Sequence, residues 1–158
     1  DTDLSLDTWY HIAASYDRSS ASNDPVMYVN GSSVTVAEDS TPSSDLTTGQ
    51  DSLTVANLIG GQEFDGGIAE LAFWNRALDA TEVAILGDGF APPFIKRGLI
   101  HYWPMIRGVE DVKGSANLSL TGTTVVAHPR IIYPRSVGYV RTYRTSSDLS
   151  TIFAGAAA

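Results

Sequence analysis

The chain has 158 residues, of which 43% are hydrophobic and 18% charged. This length allows one packed domain with a short appendage, but not two full cores. The chain contains no cysteine, which excludes a disulfide framework and a thiolate metal site and leaves the redox compartment open. Since no stretch approaches the roughly 20 apolar residues of a bilayer span, we expect no membrane partner.

Charge is distributed unevenly along the sequence. The formal net charge is −8, but residues 1–90 carry fifteen acidic side chains against two basic ones, a balance of −13. Residues 91–158 carry eight basic side chains against three acidic ones, a balance of +5. An acidic body repels phosphate, so a nucleic-acid partner is disfavoured, and divalent cations or neutral sugars are easier ligands there.

The first half of the chain has the pattern of β-strands. Aromatic and β-branched runs over residues 9–16 and 26–29, separated by turn-forming residues, predict two strands. Asn30-Gly31 and the run 34–36 follow, which predicts a hairpin with a slightly lengthened loop. Two further strands are predicted over residues 53–59 and 68–74, with a Gly-rich turn between them.

The second half has one helix signal. Asp79 is predicted to cap a helix of about two turns, with Glu82 as its capping-box partner and Gly87 at its end. A strand over residues 99–103 and a final pair over 118–120 and 123–126 follow. We therefore predict an all-β, antiparallel sandwich with one short helix over residues 1–134, and an extended C-terminal arm over 135–158.

Two segments carry a resemblance to a known family. The sequences LDTWYHIAASYD (residues 6–17) and VMYVNG (26–31) resemble the central strands of laminin-G-like, concanavalin-type jelly rolls. A second segment, residues 58–86, is similar to the part of the family's sequence that runs from the penultimate strand into a short helix; it reads LIGGQEFDGGIAELAFWNRALDATEVAIL. Residues 98–122 and 128–134 are similar to a C-terminal closure of bacterial and phage-encoded members.

The resemblance also implies more strands before the Trp9 strand than this sequence contains. We expect the sheet to be completed by another chain or a preceding segment, or the fold to be a reduced version. A sheet with open edges adheres readily to other strands, so assembly partners are expected.

Catalytic and zinc chemistry find little support in the sequence. A glycosidase on this fold needs paired carboxylates, and the nearest candidates, Glu63, Asp65 and Glu70, lie across a Gly-rich turn and a strand start. The three histidines at positions 11, 101 and 128 lack metal-ligand spacing. We therefore predict a non-enzymatic protein that requires no cofactor.

Calcium is the one metal that the resemblance implies, because laminin-G-like domains often bind it with loop oxygens. The candidate ligands, all beside turns, are Asp17, Asn23, Asp24 and Asp65. Ala69 stands where the family frequently has Asp, which removes one ligand. The alternative is that these side chains form loop-capping Asx turns.

Sugar binding requires an aromatic platform beside polar groups. The candidate ligand-binding residues lie at the end of a predicted strand and are Trp74, Asn75 and Arg76. The alternatives are that the tryptophan belongs to the core and that Arg76 forms a salt bridge with Glu82.

The predicted arm combines basic and aromatic residues. Its candidate docking residues are Arg135, Tyr139, Arg141, Tyr143 and Arg144. This composition suits an anionic partner, and we favour an acidic protein surface, such as residues 1–90 of a neighbouring copy, over nucleic acid.

Two functional hypotheses follow. The first is a structural or adhesive surface module of a virion, as a phage capsid decoration or tail-associated protein. The second is a carbohydrate-binding, calcium-dependent module of a secreted bacterial protein that recognises a surface glycan. They place the chain on a virion surface or outside the cell, and fold alone does not choose between them.

Overall fold

A computed structural model describes residues 4–17, 19–20, 22–37, 53–58, 62–124 and 126–134. The predicted arm, residues 135–158, lies outside the described residues, and its boundary at 134 stays a prediction. In chain order the elements are β1 (Ile12–Ser15), β2 (Val26–Val29), β3 (Ser32–Val34), β4 (Asn57–Leu58), β5 (Gln62–Glu63), β6 (Leu71–Trp74), α1 (Ala80–Gly87), a 3-10 turn (Pro92–Phe94) and β7 (Leu99–Trp103).

The first sheet is an antiparallel ladder in the order β1-β2-β3. Asn30 and Gly31 form the β2-β3 turn with φ angles of 49° and 80°, the left-handed pair that a tight two-residue hairpin requires. Val29 pairs directly with Ser32, so the predicted lengthening of this loop was wrong. The start of β3 was not predicted because Ser32 and Ser33 are polar. Strand pairing here depends on the turn rather than on side-chain type.

Helix α1 begins as predicted. The Asp79 side chain accepts a hydrogen bond from the Glu82 backbone N–H, and the Glu82 side chain accepts one from the Asp79 N–H, which completes the capping box. Its end was mispredicted: Gly87 is inside the helix, Asp88 is the C-cap, and Gly89 follows with a φ of 86°. Gly87 instead allows a close approach, because a Cβ there would overlap the backbone of Gly31.

Two short ladders follow the first sheet. β4 pairs with β5, so the predicted Gly-rich turn already contains a strand, and the strand predicted over 53–59 is shorter than expected. β6 pairs with β7, with an irregularity between Phe73 and Trp74. β7 covers the residues predicted for it, 99–103.

The predicted final strand pair is absent from the described residues 118–124 and 126. The preceding residues 111–117 form a loop around the Asp111 carboxylate, which accepts hydrogen bonds from several backbone N–H groups. Further on, the segment 128–133, here called the strap, returns to the domain. Ile132 accepts a hydrogen bond from the Ala91 N–H and donates one to the Gly89 carbonyl, each 2.8 Å long.

The core lies between α1, the 3-10 turn and β7. Its buried apolar residues include Val83, Leu86, Ile95 and Trp103, whereas Tyr28 is the buried apolar residue of the first sheet. The sheets are antiparallel and accompanied by one short helix in the described residues, so the predicted all-β, antiparallel class is confirmed. None of the described helices is long and apolar enough to cross a membrane.

Candidate functional site

A cleft of 1110 Å³ separates the first sheet from the β6-β7 ladder. Consecutive residues of β1 and β6 line it on two sides, and Val83 and Leu86 of α1 line it as well. At one end the walls meet, because the Ser15 hydroxyl donates a 2.8 Å hydrogen bond to the Leu78 carbonyl. The cleft is therefore bounded by strand backbones and apolar side chains.

The β1 wall presents an unpaired strand edge. The Asn30 N–H donates to the His11 carbonyl, which makes this opposite pair a hydrogen-bonded one. Because such pairs alternate along an antiparallel ladder, Ile12 and Ala14 direct their backbone N–H and C=O groups away from β2. Among the described residues, no backbone group pairs with this outer edge of β1.

The β6 wall also presents a strand edge without a described backbone partner. The Tyr102 N–H donates to Asp111 Oδ1, and the Tyr102 carbonyl accepts from the Val112 N–H, both on the side of β7 away from β6. Ala72, opposite Tyr102, therefore turns its own N–H and C=O toward the cleft. Within the described part of the chain this edge of β6 is also unpaired.

The opposite edges of both ladders make other contacts in the described structure. Helix α1 packs against the hairpin at β3, where a Cβ on Gly31 would lie 3.0 Å from the Cα of Ala84. The loop 111–114 lies along β7 through its bonds to Tyr102. The helix thus packs beside the β3 side of the first ladder and the loop beside β7, whereas the edges of β1 and β6 without a described backbone partner both face the same cleft.

Glu70 anchors the strap at the rim of the cleft. Its carboxylate accepts hydrogen bonds of 2.6 Å from the hydroxyls of Tyr102 and Tyr133, and His128 Nε2 lies 3.1 Å from it. Glu70 has a φ of 58°, a strained conformation for a residue other than glycine that persists only where its surroundings enforce it. The carboxylate therefore holds the strap to both β6 and β7.

Burial raises the pKa of both tyrosines in this cluster, and their bonds to the Glu70 carboxylate raise it further. A tyrosinate beside an anionic carboxylate is disfavoured by like charge. Both hydroxyls therefore stay protonated as donors at neutral pH. This arrangement has the character of a structural clamp rather than of an acid–base pair.

The structure places Trp74, Asn75 and Arg76 at the end of β6, where two of the three side chains are already bonded. The Trp74 indole N–H donates to the Ile95 carbonyl at 2.9 Å. Arg76 donates to both carboxylate oxygens of Glu82, at 2.5 and 2.6 Å, and this pairing raises the pKa of Arg76 and lowers that of Glu82. The salt bridge named as the alternative role of Arg76 is present.

The calcium candidates are partly brought together. Asp17 Oδ1 accepts a 2.9 Å bond from the Ser19 N–H, which lowers the pKa of Asp17, and the Asn23 amide donates to the Asp17 carbonyl at 2.9 Å. Asp24 follows in the same loop, whereas Asp65 is exposed in the turn after β5. In the described part of the chain, no group of three or more acidic or histidine side chains is arranged to hold a metal ion. The contacts seen are those of an Asx turn.

Asp111 forms a second buried polar cluster, with His101. Its Oδ1 accepts from the Tyr102 and Gly114 N–H groups at 3.0 and 2.8 Å, and its Oδ2 lies 2.5 Å from His101 Nδ1. Burial alone would raise the pKa of Asp111, but these hydrogen bonds outweigh it and hold the pKa well below its ordinary value. The carboxylate is therefore anionic and orients the imidazole.

A second, shallower groove of 520 Å³ lies beside this cluster and is lined by Phe73, Ile100, His101 and Asn117 among others. His101 stacks on Trp103 with ring centroids 5.4 Å apart, and Phe73 is 39% exposed. With Nδ1 bonded to Asp111, the His101 Nε2 is the ring nitrogen available to a ligand. The groove thus offers an aromatic surface and a polar atom.

The remaining candidate residues are placed as follows. His11 lines the large cleft, and burial lowers its pKa; its Nδ1 is buried without a hydrogen-bond partner among the described residues. The side chain of Glu63 and the arm residues Arg135, Tyr139, Arg141, Tyr143 and Arg144 lie outside the described part of the structure.

Sequence reasoning expected open sheet edges but not which strands carry them or that they face one cleft, and it missed the contacts of Glu70 with the strap and the Asp111 cluster. The signal for the clamp was weak: Glu70 was noted as a carboxylate, but Tyr102 and Tyr133 are 32 and 63 residues from it in the chain. Asp111 gave no signal, because a single Asp in a Gly- and Ser-rich stretch is typical of ordinary loops.

The comparisons with known proteins give one match. A laminin-G family model, described as the concanavalin A-like lectin/glucanases superfamily, matches residues 1–84, which is more than half of the 158 residues. No curated protein and no solved structure matches the chain. The match covers the β1-β2-β3 ladder, β6 and the first half of α1, and this chain therefore belongs to the laminin-G-like, concanavalin A-like lectin/glucanase superfamily.

Proposed function

We propose that this chain is a non-enzymatic structural or adhesive module that acts as a subunit of a larger protein assembly. A laminin-G-like, concanavalin-like domain fits a carbohydrate-binding or adhesive module. The observation that carries the assembly role is the pair of open strand edges, around Ala14 and Ala72, on the two sides of one cleft. Natural sheets cover or charge such edges unless another strand pairs with them.

The composition of β1 strengthens this argument. Its residues, Ile12–Ser15, include no charge and no proline, the two features that most often protect an edge strand. None of the four is buried, and Ile12 is 51% exposed. A strand of this kind gains stability from a partner on its open side.

The finer assignment within this proposal is a virion component, as a phage capsid decoration or tail-associated protein on the particle surface. It rests on the similarity of residues 98–122 and 128–134 to the closure of bacterial and phage-encoded members, together with the expected incomplete sheet and the basic composition of residues 135–158. The catalytic alternative finds no support in Glu70, whose carboxylate is occupied by two tyrosine hydroxyls.

Native mass spectrometry of the full chain at moderate salt tests the assembly role. We expect a defined oligomer, or a complex that retains a second polypeptide, at micromolar concentration. A lone monomer over the whole concentration range would contradict the proposal.

The second candidate function, a carbohydrate-binding module of a secreted bacterial protein, is favoured by the shallow groove. Phe73 supplies an exposed aromatic face, and His101 is held by Asp111 with its second nitrogen available. Flat aromatic surfaces beside polar atoms suit sugar rings. Calcium dependence within this candidate would draw on Asp17, Asn23, Asp24 and Asp65.

A glycan array with and without calcium separates the two candidates. Binding that falls at least tenfold in Phe73→Ala and His101→Ala would support the carbohydrate module, and Phe94→Ala, also exposed, is the matched control. An array without signal in either condition would leave the assembly role as the better account.

A further inference from the structure

We propose that the segment Val137–Thr145 of a second copy of this chain inserts as a β-strand into the cleft between β1 and β6. This inference rests on the proposed assembly role and names the subunit contact. Such an exchange gives each copy one donated strand and one acceptor cleft.

The shape of the acceptor argues for a strand as the occupant. Ile12 and Ala14 on one wall and Ala72 on the other direct into the same space N–H and C=O groups that have no backbone partner in the described part of the chain. A small ligand satisfies a few such groups, whereas an extended backbone satisfies a row of them on both sides. Trp9 and Ile12 line the same cleft and are exposed, so they offer apolar contact to side chains of the strand.

The sequence outside the described structure contains a segment that suits this site. Residues 137–145 read VGYVRTYRT, rich in the β-branched and aromatic residues that favour strands. The segment begins three residues after Pro134, and the preceding strap residues 129–131 line the cleft itself. A chain of 24 residues, 135–158, spans on the order of 70 Å when extended, enough to reach a neighbouring copy.

Charge complementarity favours a second copy as the source. The segment carries Arg141 and Arg144 and no acidic residue, whereas residues 1–90, which supply β1 and β6, have a balance of −13. The cleft lining itself is balanced, with Asp17 and Glu70 beside Arg76 and Arg130, so the attraction comes from the acidic surroundings of the cleft. Attraction between opposite charges steers one copy toward another and weakens as salt screens it.

The test measures association and edge protection in the full chain. Light scattering and native mass spectrometry at several concentrations give the oligomer, and hydrogen exchange follows the amides of Ile12, Ala14 and Ala72. We expect these amides to become protected as the oligomer forms. Val140→Pro in the donor segment should weaken association at least tenfold and abolish the protection, whereas Ser147→Pro, in the same arm but outside the segment, should change neither.

An acceptor variant tests the same contact from the other side. Ala14→Pro removes an N–H that points away from β2, so it leaves the β1-β2 ladder bonds in place, and circular dichroism verifies the fold. We expect weakened association, with Val36→Pro, exposed and beyond β3, as the control.

The outcomes separate this inference from the assembly role. An oligomer that is unaffected by Val140→Pro and Ala14→Pro overturns the strand insertion and leaves the assembly role intact. A monomer whose edges are protected at every concentration shows that the chain's own arm fills the cleft, which overturns the second-copy source. A monomer with unprotected edges contradicts both proposals.

Discussion

At the scale of single residues, the buried Asp111 carboxylate and the partly buried Glu70 carboxylate hold segments that lie outside the helix and the strands. Asp111 organises the loop 111–117, and Glu70 holds the strap through two tyrosine hydroxyls. Charged hydrogen-bond acceptors of this kind are worth more than neutral ones, and they leave several donors unsatisfied when they are removed.

Asp111→Ala should therefore destabilise the protein strongly. The change leaves the N–H groups of Tyr102 and Gly114 without their acceptor, and we expect a loss of about 3 kcal/mol in the free energy of unfolding. Urea denaturation followed by tryptophan fluorescence measures it. Asp65→Ala, which changes an exposed carboxylate, should stay within about 0.5 kcal/mol of the parent.

The lowered pKa of Asp111 predicts acid sensitivity. Because its pKa in the folded state lies below the unfolded value, its contribution to stability is present above the ordinary pKa of about 4 and is lost as the pH falls below it. The urea concentration at the unfolding midpoint of the parent should therefore decrease when the pH is lowered below 4. If the urea midpoint of the variant Asp111→Asn decreased with pH as steeply as that of the parent, other carboxylates would be the cause of the lost stability.

The Glu70 cluster predicts alkaline sensitivity. The pKa values of Tyr102 and Tyr133 are raised in the folded state, so their contribution is complete below the ordinary value of about 10 and is lost as the pH rises above it. The protection factors of the strap amides, from which the intrinsic acceleration of exchange by hydroxide is divided out, should fall above pH 10. Tyr133→Phe should reduce that response, and Tyr16→Phe, which has no bond to Glu70, should leave it unchanged.

At the scale of elements, the contact between α1 and the hairpin depends on glycine. Helix propensity alone favours alanine over glycine by about 1 kcal/mol, but a Cβ at Gly87 overlaps the Gly31 backbone. Gly87→Ala should therefore destabilise the protein, by about 2 kcal/mol. Thr81→Ala, at an exposed position of the same helix, is the control and should be neutral or slightly stabilising. Thermal unfolding of the two variants shows whether the close contact at Gly87 or helix propensity determines the change in stability.

At the scale of the whole molecule, the core is concentrated around β7 and α1, while the first sheet contributes few buried residues. A domain of this kind gains stability when a partner binds its folded state. The melting temperature should therefore rise with protein concentration, by several degrees over a hundredfold range. A melting temperature that is independent of concentration, measured by calorimetry, would argue against association of native copies.

The sequence by itself determined the features that depend on neighbours in the chain. Asn30-Gly31 fixed the hairpin because few residues adopt paired left-handed φ angles. Asp79 and Glu82 fixed the start of α1 because a capping box is local, and β7 was visible as an apolar run. The family resemblance, confirmed over residues 1–84, supplied the sandwich that joins these elements.

Tertiary structure decided what depends on residues far apart in the chain. It placed Tyr133 on Glu70, 63 residues away, wrapped the loop 111–117 around a carboxylate, and left the described residues 118–124 and 126, where a strand pair was expected, outside any strand. It also turned the open edges of β1 and β6 toward one cleft. Edge exposure depends on which strands find partners, and pairing is a property of the assembled sheets that side-chain pattern does not encode.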